Sequence, residues 1–292
     1  MKFLNPIRRA LQGLMRHEEW NAQLREALGR IESRQLRDAN ADTPAEREFR
    51  VFSQWGEDGI IDWLITTIPI ARELFIEFGV EDYSEANTRF LLAHRNWSGL
   101  IFDSDEGNIR KIKARNIYWQ HDLKAAAEFI TRENINELFR RHDIEGDIGL
   151  LSIDIDGNDY WVWQAIKSVS PRIVVIEYNS RLGPDRSVSI PYRADFNRAH
   201  AHHSMIYYGA SLRALWKLGR QKGYELICCN SAGNNAFFVR TDVIPKNLRP
   251  ATVEEAFVRG KFRESRDKHG RLSYVGPDVE EQALVTLQWV EV

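Results

Sequence analysis

The chain has 292 residues, a formal net charge of −2 at pH 7 and a hydrophobic fraction of 43%. This length allows one large domain with an appendage, or two small domains, and the apolar fraction is enough for a sizeable core. Because acidic and basic residues nearly balance, the overall charge gives no indication of nucleic-acid binding. No apolar segment approaches the roughly 18 residues that would predict a membrane-spanning helix.

The N-terminal segment, residues 1 to 38, has the apolar spacing of a helix with a break. It lacks the continuous apolar region and the cleavage site of a secretory signal, so we expect a cytoplasmic protein. The charges before His17 are all basic. Two interpretations stay open: a helix packed on its own domain or on a second copy of the chain, or an amphipathic helix on the inner face of an anionic membrane. With a polar linker from Asp38 to Pro44, residues 1–45 form a predicted helical extension.

An apolar run at residues 74–80 predicts a buried strand, followed by a turn that contains glycine and then by a helix. In an open α/β sheet the turn after such a strand is where a nucleotide-like ligand binds. A second apolar run ends at Asp103, about 20 residues beyond this turn, which is the spacing expected for a carboxylate on ribose hydroxyls. The sequence has no G-x-G-x-x-G motif. A ligand with a ribose but no phosphates, such as S-adenosylmethionine (SAM), therefore fits better than a dinucleotide.

Strands alternate with helices through the rest of this region. Further strands are predicted at 99–103, 117–120, 148–156, 172–178, 224–229 and 236–239, and helices at 84–95, 105–114, 124–141, 158–168 and 211–222. Such alternation predicts a mainly parallel sheet, but the short loop between the last two strands permits only an antiparallel pair.

The predicted fold class is therefore α/β. We expect a Rossmann-like, seven-stranded, mainly parallel sheet with a final antiparallel strand, helices on both faces and the N-terminal helical extension. Residues 46–245 form the expected main domain. Residues 246–292 form an expected C-terminal arm packed on it, and the alternating run at 283–290 predicts an extra edge strand or arm.

Several short motifs resemble those of one family. In chain order they are Ser53-Gln54, Gly56-Glu57-Asp58, Glu77-Phe78-Gly79-Val80-Glu81-Asp82, Asn87-Thr88, Trp97-Ser98-Gly99-Leu100 and Asp154-Ile155-Asp156-Gly157. Over roughly residues 50 to 240, their order resembles FkbM-type methyltransferases of the class I SAM-dependent fold. The resemblance implies methyl transfer from SAM to a hydroxyl of a sugar, polysaccharide or glycolipid acceptor. Tyr83 stands where relatives usually carry a second glycine, which predicts either a reshaped turn or weakened SAM binding.

The predicted cofactor contacts follow the first turns of the sheet. Gly79 is the expected approach point of SAM, Glu77 and Asp103 would hold its methionyl end and ribose, and Asp122 would lie near the adenine amine. The full predicted set is Glu77, Gly79, Asn87, Thr88, Asp103, Ser104, Asp122 and Asp154. For each of them a turn or capping role is the alternative. The cluster Gln54, Glu57 and Asp58 either caps a helix or lines the ligand cleft.

The acids that end the fourth and fifth strands should face the same crevice. Because a sugar hydroxyl has a high pKa, its attack on the methyl group benefits from a base, and we expect Asp156 to be that base, with His203 as the alternative. Asp156, Glu177 and Asn179 also offer the oxygen ligands that suit Mg²⁺ or Mn²⁺. The alternative is that Asp156 and Asn158 cap the next helix.

Two other functions stay open. The first is a metal-dependent glycosyltransferase, because Asp154-Ile155-Asp156 also matches the D-x-D motif of those enzymes. The second is a catalytically degenerate methyltransferase fold that acts as a scaffold, and Tyr83 is its best support. The expected partners are a carbohydrate or glycolipid-linked acceptor, no nucleic acid, and a membrane surface or a second copy of the chain at the N-terminal helix.

Overall fold

A computed structural model describes residues 4–38 and 43–292, with side chains for 19–37 and 43–292. The strands are β1 Leu74–Phe78, β2 Ser98–Asp103, β3 Leu123–Ala127, β4 Gly146–Ile153, β5 Val169–Glu177, β6 Val188–Ser189, β7 Tyr224–Cys229, β8 Asn235–Arg240 and β9 Val290–Glu291. The α-helices are α1 Leu4–Asp38, α2 Glu57–Thr67, α3 Arg89–Arg95, α4 Glu106–Ala114, α5 Asn116–Gln120, α6 Ile135–Arg141, α7 Asp159–Ala165, α8 Arg198–Ala201, α9 Leu212–Gln221, α10 Val253–Ala256 and α11 Pro277–Val285.

Seven of the strands form one sheet in the order β3-β2-β1-β4-β5-β8-β7. Strands β1 to β5 run parallel, and β8 pairs antiparallel with both β5 and β7. The predicted α/β, Rossmann-like sheet with a final antiparallel strand is confirmed. The strand order reverses between β1 and β4, and in such sheets ligands bind in the crevice outside the carboxyl ends of the strands at this point.

Helices cover both faces of the sheet, and β1 shows why the sequence folds this way. Ile76 and Phe78 belong to the apolar cluster that includes residues of α6, α7 and α9, while Phe75 belongs to the cluster that includes residues of α2, α3 and α4. All three side chains are fully buried. A central parallel strand is buried on both faces, so it reads as a continuous apolar run rather than an alternating one.

The third predicted strand is wrong. Residues 117–120 lie in α5, and β3, Leu123–Ala127, overlaps the start of the helix that was expected at 124–141. The aromatic residues of this segment favour a strand by propensity, but Trp119 is 71% exposed and the segment pairs with no strand. Asp122 consequently precedes β3 and lies at the amino end of the sheet, where its carbonyl oxygen accepts a hydrogen bond from Gly99 N over 2.9 Å.

The C-terminal residues also differ from the expectation. The alternating run begins inside α11, which starts at Pro277 directly after its N-cap residue Gly276, and only β9 pairs as a strand, with β6. A proline at the first helical position favours a helix start, and this signal outweighs the short alternation. A buried ion pair, Arg181 Nε to Glu280 Oε1 at 2.9 Å, ties α11 to the segment after β5.

Helix α1 is continuous, without the predicted break. It packs on the main domain through a close approach at Gly29, where a Cβ would lie 2.3 Å from a methyl group of Val51. Ser33 Oγ donates to Asp62 Oδ2 over 2.7 Å in the same contact. The basic side chains before His17 and most of the expected linker at 38–44 lie outside the described residues. No described helix is both long and apolar enough to cross a bilayer.

Gly79, directly after β1, occupies the tightest point between β1 and β4. Its φ is +69°, and a Cβ there would lie 1.8 Å from the carbonyl oxygen of Asp154. Its N–H donates to Phe102 O at the end of β2 over 3.0 Å. Glycine is therefore required by the approach of three strand ends, whether or not a cofactor binds.

Gly79→Ala should destabilise the protein far more than Gly146→Ala. Both glycines have a left-handed φ, +69° and +72°, but a Cβ at position 146 meets nothing within 4 Å. The control should lose about 1–2 kcal/mol of unfolding free energy for the left-handed backbone alone. Gly79→Ala should lose at least about 3 kcal/mol, because overlap with the Asp154 carbonyl forces the strand ends apart. Urea unfolding followed by circular dichroism measures both, and equal losses would contradict the close approach.

Candidate functional site

An open cleft of about 640 Å³ lies outside the carboxyl ends of β1, β2, β4 and β5. This volume lies in the usual range of small-molecule sites, and the position is the point where the strand order reverses. The outer wall comes from two segments that lie outside the seven-stranded sheet. The connection at 180–210 supplies Phe196, Arg198 and Tyr208, and the C-terminal arm supplies Phe262 and Glu264.

The cleft is strongly acidic. Among the described side chains that line it, Arg198 is the one Lys or Arg, whereas the acids are nine: Glu77, Glu81, Glu85, Asp103, Glu128, Asp154, Asp156, Glu177 and Glu264. A cleft lined by one sign of charge concentrates the opposite sign. The arrangement therefore favours a cationic ligand and disfavours a polyphosphate.

Glu77, the fourth residue of β1, organises the turn that follows the strand. Its Oε1 accepts from Asn87 N over 2.8 Å, and its Oε2 accepts from Thr88 N and Thr88 Oγ1 over 3.1 and 2.5 Å. Asn87 Nδ2 in turn donates to Ser152 Oγ on β4 over 3.1 Å. Burial raises the pKa of the Glu77 carboxyl from 4.5 to about 7, although these hydrogen bonds oppose the shift.

Tyr83 does not enter the cleft. It adopts a φ of +61° and is 1% exposed, within the apolar cluster that contains Phe75 and Leu91. Its hydroxyl lies 3.0 Å from Thr88 Oγ1. The backbone at Tyr83 therefore reaches the left-handed region without glycine, and the side chain packs into the core behind the turn rather than into the ligand space.

Asp103, at the end of β2, joins the first two turns. Its Oδ2 accepts from Glu81 N over 2.8 Å, and its Oδ1 accepts from Asp105 N over 2.8 Å and from Asn108 Nδ2 over 3.2 Å. The carboxylate still lines the cleft, together with the adjacent Ser104. Since a carboxylate offers about four acceptor positions, Asp103 retains capacity for a ligand hydroxyl.

The sequence left open whether Gln54, Glu57 and Asp58 cap a helix or line the cleft. Gln54 lines the cleft, whereas Glu57 and Asp58 hold the surrounding backbone and loops in place. Asp58 Oδ2 accepts from the backbone N–H groups of residues 51–53 over 2.7 to 2.8 Å. Glu57 Oε1 accepts from the amides of Asn230 and Asn235, over 2.7 and 2.9 Å, and so ties α2 to the loop between β7 and β8.

Three acids that follow or end β4 and β5 form the floor of the cleft. One carboxylate oxygen from each of Asp154, Asp156 and Glu177 lies within 4.8 Å of the others. Glu177 is 8% exposed, and its Oε2 has no hydrogen-bond partner among the residues that the structure describes. Burial and then the neighbouring acids raise the pKa values of Asp154 and Glu177 well above their usual range. The carboxylates of Asp154 and Glu177 therefore repel each other, and Asp156, when all three are ionised.

Asp159 stabilises the loop after β4, which carries Asp154 and Asp156. Its carboxylate accepts from Ile155 N and Gly157 N, both over 2.9 Å, while Asp156 takes a left-handed φ of +55°. Asn158 occupies the N-cap position of α7 without a side-chain capping bond. The alternative of helix capping by Asp156 and Asn158 is thus wrong, and the capping-type bonds belong to Asp159.

Arg198, on α8, is the cation that faces this floor, and nothing in the sequence pattern singled it out. It forms an ion pair with Asp156, its Nε donates to Met205 O over 2.7 Å, and its guanidinium lies 3.9 Å from the ring centroid of Tyr208. Its second terminal nitrogen lies 3.5 Å from Glu264 Oε2. Arg198 therefore links the acidic floor to both segments of the outer wall.

The structure brings together some of the predicted site residues and separates others. Those that line the cleft are Glu77, Gly79, Asn87, Asp103, Ser104, Asp154, Asp156 and Glu177. Thr88 is buried behind Glu77, and His203 is exposed outside the cleft. Asp122 borders a different cavity, at the amino ends of β1 and β2.

Asn179 does not join the acidic floor. Its Nδ2 donates to Ile206 O and Tyr208 O over 3.0 and 3.1 Å, and its Oδ1 accepts from Arg181 N over 3.2 Å. It fixes the start of the 180–210 connection, and Asp154 takes its expected place beside Asp156 and Glu177.

No protein-family model and no curated protein matches the chain. Solved structures do. The chain is similar to the N-terminal domain of EvdMO1 with SAH bound, at 10% identity and a TM-score of 0.41, covering 64% of this chain and 80% of that one. It is also similar to an O-methyltransferase family protein from Burkholderia thailandensis, at 14% identity and a TM-score of 0.40, covering 77% of this chain and 58% of that one.

A third structure in this group is a SAM-dependent methyltransferase from Clostridium acetobutylicum, at 10% identity and a TM-score of 0.39, covering 68% of this chain and 93% of that one. Similarity at this level does not extend to individual residues or to activity. Membership of the FkbM-type family stays a prediction, and the assignment of the cleft rests on its own geometry.

The stability of the protein should fall as the pH rises from about 4.5 to 7, in part because of Glu77. Its pKa is raised on folding from 4.5 to about 7, so the folded state binds the proton more tightly than the unfolded chain. This contribution is complete below pH 4.5 and is lost as the pH passes 7, an effect of about 3 kcal/mol. Glu77→Gln cannot titrate and should show a shallower slope in urea unfolding from pH 4 to 8. If the unfolding free energies of the wild type and Glu77→Gln changed with pH at the same rate, the raised pKa of Glu77 would be contradicted.

Proposed function

We propose that the chain is a SAM-dependent O-methyltransferase that acts on a hydroxyl of a sugar, polysaccharide or glycolipid acceptor. The observation that carries this proposal is the acidic cleft at the reversal of strand order, with nine acids and one arginine in its lining. SAM has a sulfonium, an ammonium group, one carboxylate and a ribose but no phosphates, so its net charge is positive. Its charge complements the cleft, and its ribose suits a carboxylate at the end of β2.

The donor is proposed to lie across the ends of β1 and β2. Gly79 leaves the backbone open to the cofactor, while Asp103 and Ser104 face the space above β2. Asp103 would accept from the ribose hydroxyls with its remaining lone pairs. Glu77, whose oxygens already hold Asn87 and Thr88, would act on the methionyl end chiefly by placing Asn87.

The acceptor is proposed to lie over β4 and β5, between the floor acids and the outer wall. In the transfer, the acceptor oxygen attacks the methyl carbon, the carbon–sulfur bond breaks with its electron pair going to sulfur, and the hydroxyl proton passes to a carboxylate. Of the two bases expected from sequence, Asp156 lines the cleft and His203 does not. We therefore assign proton acceptance to Asp156 within the acidic floor, and the rest of catalysis to in-line placement of the reacting atoms.

A divalent cation is a further part of the proposal. Asp154, Asp156 and Glu177 fit Mg²⁺ or Mn²⁺, because three carboxylate oxygens converge within 4.8 Å and Oε2 of buried Glu177 has no partner in the described part of the chain. Such an ion would lower the pKa of a bound acceptor hydroxyl. Asn179 is not among the proposed ligands, since its side chain bonds the backbone of Ile206, Tyr208 and Arg181 and is not part of the group of converging acids.

The competing functions make different demands on the cleft. A glycosyltransferase must bind a nucleotide diphosphate, whose negative charge would have to be offset by a metal ion at Asp154, Asp156 and Glu177, since Arg198 is the one described basic side chain in the cleft lining. The scaffold interpretation had Tyr83 as its best support, but Tyr83 is buried in the core and leaves the cleft open.

Calorimetric titration with S-adenosylhomocysteine (SAH), with and without Mg²⁺, tests the proposal. We expect micromolar binding by the wild type and at least tenfold weaker binding by Asp103→Asn, which loses charge but little volume. Asp195→Asn is the matched control, because Asp195 is exposed and outside the cleft lining. Melting curves check that each variant is folded. Absence of SAH binding in both conditions, or stabilisation by UDP-glucose with Mn²⁺ instead, would overturn the proposal.

A further inference from the structure

One face of α1 exposes a row of large apolar side chains. Trp20, Leu24, Leu28 and Ile31 are 66%, 52%, 53% and 50% exposed. Their spacing of four, four and three residues places them on one side of the helix. Scattered exposed apolar residues need no explanation, but a contiguous row of four marks an interaction surface.

The opposite face of α1 is already occupied by the main domain. Ala22 and Leu36 pack against the cluster formed by Phe49, Val51, Phe52 and Phe90, and Gly29 allows the close approach to Val51. Ser33, 1% exposed, is hydrogen-bonded to Asp62. The helix is thus fixed on the domain, and the exposed row, which we call the α1 stripe, points outward from a rigid support.

Near Trp20, helix α1 contacts α5 through Glu19 and Asn116. Glu19 Oε1 accepts from Asn116 Nδ2 over 2.7 Å, and Asn116 Oδ1 accepts from Trp119 Nε1 over 3.1 Å. Trp119 is 71% exposed. Trp119 is therefore an exposed tryptophan on the helix that Glu19 of α1 contacts.

The size of this surface suits a protein partner. The four residues of the stripe expose on the order of 500 Å², which lies within the roughly 300–600 Å² of the largest, and often functional, apolar patch of a monomer. Two such patches facing each other would remove roughly 1,000 Å² from water, which is at the lower limit of specific interfaces. This area favours a reversible association of moderate affinity.

The charges beside the stripe argue against a lipid surface. Residues 19–37 contain the acids Glu19, Glu26 and Glu32 and the bases Arg25, Arg30, Arg34 and Arg37. A helix that lies on an anionic membrane needs a predominantly basic polar face, and here the signs alternate. Arg30 is moreover paired with Glu26 at 2.8 Å on the same helix.

We propose that the α1 stripe binds the α1 stripe of a second copy of this chain, in a two-fold symmetric dimer. A straight apolar row on a helix is self-complementary under a two-fold axis, since each helix offers the ridges and grooves that the other needs. The axis passes between Leu24 and Leu28, so that Leu24 of one copy faces Leu28 of the other and the tryptophans flank the contact. The cleft lies on other elements and stays open in the dimer.

Sedimentation equilibrium of the full chain tests the dimer. The wild type should reach twice the chain mass of 34.0 kDa at tens of micromolar. Leu24→Glu combined with Leu28→Glu should remain monomeric at the same concentration, because four carboxylates would meet in the contact. Both positions are exposed, so SAH binding, and the melting temperature measured at concentrations where the wild type is monomeric, should not change. Val279→Glu combined with Val285→Glu, at exposed positions of α11, is the matched control and should dimerise like the wild type.

The same samples are mixed with vesicles of phosphatidylglycerol and phosphatidylcholine and sedimented. A wild-type chain that is monomeric throughout the concentration range overturns the proposal, and vesicle binding abolished by the Leu24 and Leu28 changes would assign the stripe to a membrane. Dimerisation that survives those changes overturns it as well, since the contact would then lie elsewhere.

Discussion

The ends of β1 and β4 meet at Gly79, where any side chain would overlap the carbonyl oxygen of Asp154. This contact places the turn after β1 directly beside the acids that follow β4. It also leaves an opening at the point where the order of the parallel strands reverses. The position of the cleft, the proposed donor site over β1 and β2, and the acidic floor over β4 and β5 all depend on this approach of the two strand ends.

Electrostatics then select the ligand. The buried acids of the turns differ in what compensates them: Glu77 and Asp103 receive backbone and side-chain donors from their own turns, whereas Asp154 and Glu177 depend on Arg198, which pairs directly only with Asp156 and Glu264. Burial and mutual repulsion raise the pKa values of Asp154 and Glu177. A ligand that brings positive charge relieves this repulsion, which is the physical reason for proposing a sulfonium donor and a divalent cation at one cleft.

The sequence predicted the sheet well where its strands are buried on both faces. β1, β2, β4 and β5 are long apolar runs that end in acids or turn residues, and their positions follow from that pattern. β3 was misplaced because it is an edge strand with the small residues 125–127, next to an exposed aromatic helix. That error also moved Asp122 to the wrong end of the sheet.

In the cleft, the residues at strand ends could be placed from spacing alone, but Arg198, Phe262 and Glu264 could not. They come from irregular segments, whose positions are set by tertiary contacts rather than by periodicity.

The most direct measurement for the central claim is a crystal structure of the chain soaked with SAH. The account predicts the ribose within hydrogen-bond distance of Asp103 and the sulfur facing Asp154 and Asp156. SAH bound at another surface, or a cleft that stays free of it at saturating concentration, would contradict the account.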